Sequence, residues 1–383
     1  MLHRPRKVLF AVTEDWYFWS HRKSLADYLQ QHDYSVTLAT RFNRYKAQLN
    51  TAGIQCIPTA FERSLWRPWR DLHAIVQLCS AIRSHRPDVV HLVSLKPILL
   101  SGFALLVNRR TRFIAAFTGM GYLFSSTDRR AHFFRRFLVA ILRLLLRRSN
   151  VWIIVQNAED HALLQELRLG EPDRTLLIPG VGVDTAVFSY SELVTSAPAL
   201  VVLPARLIRD KGIEEFVSAA REVKKVEPET RFVLVGANDP DNPAAIRSSV
   251  IDGWVREGVI EWWGHHADMA SVYHQARIIC LPSYREGMPK VLLEAAACGR
   301  PLIASDVAGC RDICRNGLNG TLVAPREPQA LALAITEMLK DTVTQISYGA
   351  AGRKLVEREY SIDNIGQQTL AYYERILASG VKH

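Results

Sequence analysis

Short apolar runs alternate with stretches in which apolar residues return every three or four positions, and the alternation continues along the chain. In the first part, the runs Lys7–Val12, Tyr34–Ala39, Val89–Leu92, Phe113–Phe117 and Trp152–Gln156 predict strands. The patterns over Ser20–Gln31, Arg44–Thr51, Arg70–Ser84 and Arg129–Arg148 predict helices. Strands that alternate with helices in this way imply a parallel sheet with a helix in each crossover. After Thr175–Pro179, the glycine turn Gly180-Val181-Gly182-Val183-Asp184 closes this half, and the polar stretch Ser189–Ser196 reads as a linker.

The series restarts at Ala199–Leu203. Strands are predicted at Arg231–Val235, Val259–Trp262, Arg277–Leu281, Pro301–Ser305 and Gly320–Val323. Helices are predicted at Gly212–Val226, Ala244–Glu257, Asp268–Gln275, Pro289–Cys298 and Pro328–Leu339, with two more at the end. The fold expected is α/β, with two doubly wound Rossmann-like domains over 1–190 and 191–360 and a C-terminal helix in 361–383 that packs back towards the first.

Composition changes this picture little. The 383 residues are 48% hydrophobic and 22% charged, as in ordinary soluble domains, and the length suits two domains. The six cysteines are scattered, and Cys310 and Cys314, the close pair, lack zinc-site spacing, so free thiols in a reducing compartment are expected. The opening Met1-Leu2-His3-Arg4-Pro5-Arg6-Lys7 precedes an apolar run too short for a signal peptide, and no run of eighteen apolar residues predicts a membrane span.

Charge adds something more specific. Residues 1–190 hold 26 Lys and Arg against 14 Asp and Glu, whereas the remainder holds 22 against 24. A basic first half points to an anionic partner, a nucleic acid or an acidic membrane surface.

The candidate chemistry is concentrated in the second half. In Ser283-Tyr284-Arg285-Glu286-Gly287-Met288-Pro289-Lys290, a strand runs into a helix at the carboxyl edge of the sheet. Pro289 suits a first helical position, and the backbone N–H groups of Gly287, Met288 and Lys290 could hold a phosphate. Glu294 is the single ionisable group in an otherwise apolar helix, so it should have a hydroxyl or cationic partner. A purely structural alternative makes Glu286 a cap and satisfies Glu294 with an internal arginine. Upstream, Arg206 and Lys211 in Arg206-Leu207-Ile208-Arg209-Asp210-Lys211-Gly212 can both face the same edge, where they would compensate a diphosphate leaving group without a metal. The bland alternative is two solvated charges beside a turn.

As a set, these motifs, together with Gly236, Gly264, Glu294-Ala295-x-Ala297-x-Gly299 and Gly317-x-Asn319-Gly320, resemble retaining glycosyltransferase family 4, whose fold is GT-B. Glu286 and Glu294 match the family's E-x7-E pair. The resemblance implies that Arg206 and Lys211 bind the donor diphosphate, Glu286 holds hydroxyls of the transferred sugar and Glu294 binds the ribose. It further implies that Gly287, Met288 and Pro289 border the sugar phosphate, that Gly236 and Gly264 let the donor approach closely, and that neither metal nor cofactor is needed.

In the first half, Phe18-x-x-His21-Arg22 and Phe117-Thr118-Gly119-x-Gly121-Tyr122 resemble a bacterial subgroup that extends undecaprenyl-diphosphate-linked sugars with N-acetylhexosamines. That likeness places His21, Arg22, Thr118 and Gly119 beside the acceptor; the alternative is that His21 and Arg22 simply begin a helix. Arg129, His132, Arg136, Arg143 and Arg147 fall on one stripe of a helix without an acidic residue, which suits anionic headgroups, although a sheet-covering helix with a basic outer face reads the same way.

The reading that follows is a UDP-sugar-dependent hexosyl- or N-acetylhexosaminyltransferase, cytoplasmic and peripheral on the inner membrane face, that acts on a lipid-linked saccharide. A nucleotide-sugar 2-epimerase or hydrolase is the rival enzyme, for which the first loop offers only Glu14 and Asp15. A non-catalytic basic binding protein is the third reading, but no nucleic-acid-binding fingerprint accompanies the charge, so no nucleic-acid partner is expected.

Overall fold

In a computed structural model of the chain, the described residues are 4–62, 67–108, 111–120, 129–193, 195, 198–240 and 242–379. They form two units. The first comprises residues up to Gly182 together with the segment from Ile362, and the second runs from Val183 to Ser361.

The first unit is built on seven parallel strands: β1 (Arg6–Glu14), β2 (Tyr34–Arg41), β3 (Gln55–Pro58), β4 (Val89–Val93), β5 (Arg112–Ala116), β6 (Val151–Val155) and β7 (Thr175–Leu177), in the order β3-β2-β1-β4-β5-β6-β7. Val8 to Val12 of β1 are buried without interruption, the signature of a central parallel strand covered on both faces. One face packs beneath helices Pro68–His85 and Arg129–Leu146 through Ala74, Leu78, Leu138, Leu142 and Leu145. The other packs beneath helices Lys23–Gln31 and Ile362–Ala378.

The second unit has six parallel strands: β8 (Leu200–Pro204), β9 (Arg231–Val235), β10 (Glu261–Trp262), β11 (Ile278–Leu281), β12 (Leu302–Ser305) and β13 (Gly320–Val323), in the order β10-β9-β8-β11-β12-β13. In both sheets the order reverses beside the first strand, between β1 and β4 and between β8 and β11. In doubly wound sheets, the carboxyl edge at such a point is where ligands bind.

Several boundaries differ from those expected. The first unit ends at Gly182, not at residue 190, because Val183 N–H donates to Tyr360 O and Arg353 Nη1 donates to the carbonyls of Thr185, Phe188 and Ala297, all in the second unit. Strand β3 was not anticipated, since Gln55-Cys56-Ile57-Pro58 is an edge strand with neither a long apolar run nor alternation. The helix expected over Ser20–Gln31 is two helices, Asp15–His21 and Lys23–Gln31, interrupted at Arg22. Among the described residues, no helix is long and apolar enough to cross a membrane.

Candidate functional site

In the second unit, the loops that follow the neighbouring strands β8 and β11 are fastened together. Tyr284 N–H donates to Asp210 O at 2.8 Å, and Tyr284 Oη donates to Glu215 at 2.6 Å. Gly212 adopts φ +69° and lies so close to Pro282 that a Cβ would stand 2.1 Å from the Pro282 carbonyl oxygen. Only glycine meets both demands. The clasp brings Lys211 Nζ to 2.5 Å from Glu286 Oε1, with both side chains largely withdrawn from solvent.

A third element supports this pair from the other side. Helix Ala308–Ile313 begins against the 286–288 turn, where a Cβ on Gly309 would lie 2.3 Å from Gly287 O and 2.8 Å from Glu286 O. The neighbouring Cys310 is fully buried, and burial together with the Glu286 charge pushes its thiol well above the ordinary range. Gly309 was missed in the sequence, where Val307-Ala308-Gly309 carries no marker of a close approach.

Arg206 stands at the end of β8, and its Nη1 donates to Asp239 Oδ2 at 2.8 Å. Asp239, beyond β9, is a partner that the sequence did not suggest. Gly236 N–H donates to Gly264 O at 2.8 Å, linking the ends of β9 and β10. A Cβ on Gly236 would stand 1.8 Å from Ala205 O, so this glycine is required by its own neighbouring backbone; Gly264 has open space around it and needs glycine for its φ of +70°.

Helix Lys290–Ala297 starts one residue later than expected, with Pro289 as its N-cap in an extended conformation and not as its first residue. Met288 packs at the edge of the core. Glu294 is buried with both kinds of partner it requires: Tyr273 Oη donates to Oε2 at 2.9 Å, and Lys290 Nζ lies 2.8 Å from Oε1. Burial, reinforced by Glu294, pushes the Tyr273 hydroxyl well above its usual range, so it stays a donor. The internal arginine of the structural alternative does exist, as Arg300, but its guanidinium donates to the carbonyls of Cys298, Ala276 and Ser191.

In the first unit, the loop after β1 carries Glu14 and Asp15. Glu14 accepts from Arg41 Nη2 at 2.5 Å and Asn43 Nδ2 at 2.8 Å. Asp15 Oδ2 accepts the backbone N–H groups of Asn43, Arg44 and Tyr45 at 2.7 to 3.0 Å. His21 stacks on Tyr17 at 4.2 Å between ring centroids. Arg22 is buried, with Nε lacking a hydrogen-bond partner, and burial lowers its pKa.

At the ends of β4 and β5, Ser94 Oγ and Thr118 Oγ1 are 3.1 Å apart. Ser94 holds φ +75° and ψ 166°, a region that costs a non-glycine residue about 1–3 kcal/mol and that no sequence pattern marks. Gly119 has φ +130°, and Met120 N–H donates to Asp160 Oδ1. Gly121 and Tyr122 lie outside the described residues.

On helix Arg129–Leu146, Arg136, Arg143 and Arg147 are exposed as expected, while the side chains of Arg129 and His132 lie outside the described set. Phe137 and Leu144 share the exposed face with the arginines. Arg143 donates to Leu167 O, and Arg147 pairs with Glu171. No cluster of three or more His, Cys, Asp or Glu side chains suited to a metal occurs among the described residues.

Comparison with known proteins bears on both units. Residues 7–157 match a family described as glycosyl transferase 4-like, and residues 198–341 match one described as glycosyl transferases group 1. The chain is 24% identical over 351 residues to the N,N'-diacetylbacillosaminyl-diphospho-undecaprenol alpha-1,3-N-acetylgalactosaminyltransferase of Campylobacter jejuni, covering 88% of this chain and 89% of that protein. Its fold is similar to that of sucrose-phosphate synthase from Thermosynechococcus elongatus, with a TM-score of 0.80 at 20% identity over 98% of this chain and 100% of the other. Anabaena HepE in complex with UDP and glucose gives a TM-score of 0.76 at 16% identity over 96% and 99%.

Proposed function

Because the chain belongs, half by half, to the glycosyl transferase 4-like and group 1 families and is a glycosyltransferase of GT-B type, we propose that it moves a hexosyl or N-acetylhexosaminyl unit from a UDP-sugar to a polyprenyl-diphosphate-linked saccharide. In this reading the anomeric configuration is retained and no metal takes part. The observation that carries it is the Lys211–Glu286 pair, clasped between the loops after β8 and β11 where the sheet order reverses.

Lys211 and Arg206 would bind the donor diphosphate and compensate the charge that grows on it as the glycosidic bond breaks. Glu286 would accept hydroxyls of the sugar. Glu294, oriented by Tyr273 and Lys290, keeps acceptor capacity for two vicinal hydroxyls of a ribose, since a carboxylate can accept about four hydrogen bonds. A donor carrying UDP is supported by the HepE complex, and a lipid-linked acceptor by the name of the Campylobacter relative. His21, Arg22, Thr118 and Gly119 would serve the acceptor.

Two observations weigh against the rival readings. Of the carboxylates an epimerase or hydrolase would draw on in the first loop, Glu14 is already engaged by Arg41 and Asn43, and Asp15 is fixed by three backbone amides on Oδ2. A purely basic binding protein leaves the Lys211–Glu286 clasp without a purpose. We place the enzyme on the cytoplasmic membrane face, where Arg136, Phe137, Arg143, Leu144 and Arg147 would meet anionic lipid.

The test is incubation of the full chain with a panel of UDP- and GDP-sugars and a short polyprenyl-diphosphate saccharide, with and without EDTA, with products followed by mass spectrometry. Transfer that survives EDTA with retained configuration supports the proposal. Free nucleotide diphosphate without transfer, or an isomerised sugar, overturns it in favour of the hydrolase or epimerase.

A further inference from the structure

At the carboxyl ends of β2 and β3, a recess of about 290 Å³ is lined by Arg41, Phe61, Glu62, Trp69, Arg70 and His73, among others. Its volume is at the small end for ligand sites, too small for a nucleotide sugar but sufficient for a compact head group. Its two arginines are held in place by buried carboxylates. Arg41 bonds Glu14 through Nη2 and Nε, and Arg70 bonds Glu62, which Arg67 also reaches at 3.2 Å. Glu62 thus has two cations for one negative charge, and the surroundings keep a positive excess. Guanidinium donors fixed in advance lose little freedom on binding an anion.

The recess opens beside an apolar surface. Helix Pro68–His85 exposes Trp69, Leu72 and Val76, one stripe at three- and four-residue steps, with Trp69 83% exposed. The first turn of this helix is fastened to the short helix Leu95–Leu100 that follows β4, since Lys96 Nζ lies 2.8 Å from Asp71 Oδ1. The other large hydrophobics exposed in the first unit, Phe103, Phe137 and Leu144, lie on helices that pack on the same face of the sheet. No such residue is found on the opposite face among the described residues. Exposed apolar side chains gathered on one face, rather than scattered, mark an interaction surface.

We infer that this recess holds the diphosphate of the polyprenyl acceptor, with the first isoprene units lying along Trp69, Leu72 and Val76. The inference deepens the proposed function and rests on it. A small cationic cradle continuous with an exposed apolar stripe matches a ligand with a doubly anionic head and a hydrocarbon tail. A free phosphate compound would have no use for the stripe, and a plain bilayer surface would have no use for the recess. Arg41 and Arg70 would be acceptor-binding residues, and the saccharide would extend from the recess along the carboxyl edge of the sheet.

The full chain, labelled with 5-fluorotryptophan and saturated with UDP to fill the donor site, is titrated with farnesyl diphosphate. The Trp69 signal in the fluorine NMR spectrum is assigned by its loss in Trp69→Phe. A saturable shift is expected, with inorganic pyrophosphate at least tenfold weaker. Arg70→Gln and Leu72→Asp/Val76→Asp should each weaken farnesyl diphosphate at least tenfold, the latter pair being surface changes that leave the core untouched. Equal affinity for pyrophosphate, an unmoved Trp69 signal, or an equal response to anionic vesicles lacking any prenyl diphosphate would overturn the inference. Failure of UDP itself to bind would undo the donor reading and leave the Trp69 titration interpretable.

Discussion

Lys211 and Glu286 come from loops 75 positions apart in the chain, yet their charged atoms meet at 2.5 Å. The contact is made by backbone close approach, with Gly212 against Pro282 and Tyr284 bonded to Asp210. The pair is therefore preformed before any donor arrives. Lys211→Met is expected to lower kcat about 10²–10³-fold, the usual effect of removing a donor that stabilises developing negative charge. Steady-state kinetics with the donor identified by the panel measures it, and an unchanged kcat would remove Lys211 from the chemistry.

Gly309→Ala places a methyl group 2.3 Å from Gly287 O. The 286–288 turn must shift, at a cost of about 1–3 kcal/mol. Thermal melting should show the loss of stability, and isothermal titration should show weakened UDP binding even where the protein remains folded.

Tyr273→Phe deletes the hydroxyl that orients Glu294 and leaves the packing intact. A hydrogen bond to a charged group contributes about 1.5–3 kcal/mol, so donor affinity should fall roughly tenfold or more. In the family-based reading, the ribose contact is made in ground and transition states alike, so KM should rise while kcat changes little.

His91 is fully buried, stacks on Phe10, bonds Tyr373 Oη through Nδ1 at 2.6 Å and faces the Arg22 charge. Burial, and then Arg22, hold its pKa well below the ordinary value of 6.5. The unfolded chain therefore takes up this proton first as pH falls. Stability of the first unit should be insensitive to His91 above about pH 7.5 and should decline below about pH 6.5, by up to about 1.4 kcal/mol per pH unit. Urea denaturation at pH 7.5 and 5.5 measures the slope, and His91→Gln should flatten it.

Much of the fold was legible because buried parallel strands leave uninterrupted apolar runs, as in Val8 to Val12 and Ile278 to Leu281. Edge strand β3 was not, since an edge needs no such run. At the candidate site, Arg206, Lys211 and Glu286, in the loops that follow strands, and Glu294, the single ionisable group of an apolar helix after its first residue, could be read from the sequence. Their partners could not. Asp239, Tyr273 and Gly309 reach the site by tertiary packing, and the recess near Trp69 depends on Arg41, Glu62 and Arg70 meeting from three segments. Phe137 and Leu144 show a further limit: helical spacing places residues on a stripe, but only packing reveals which stripe faces outwards.

The first unit is split by the second, and this governs the order in which the protein can be made. Helix Ile362–Ala378 supplies Tyr372, Tyr373 and Ile376 to the core beneath β1 and β4, so that core is incomplete while residues up to Ser361 are being synthesised. The second unit is continuous from Val183 to Ser361 and has all its strands as soon as that stretch has left the ribosome. Domains usually fold in the order of synthesis. Here the later unit can mature first, and the earlier one must wait, with part of its apolar interior uncovered, for the last helix to arrive.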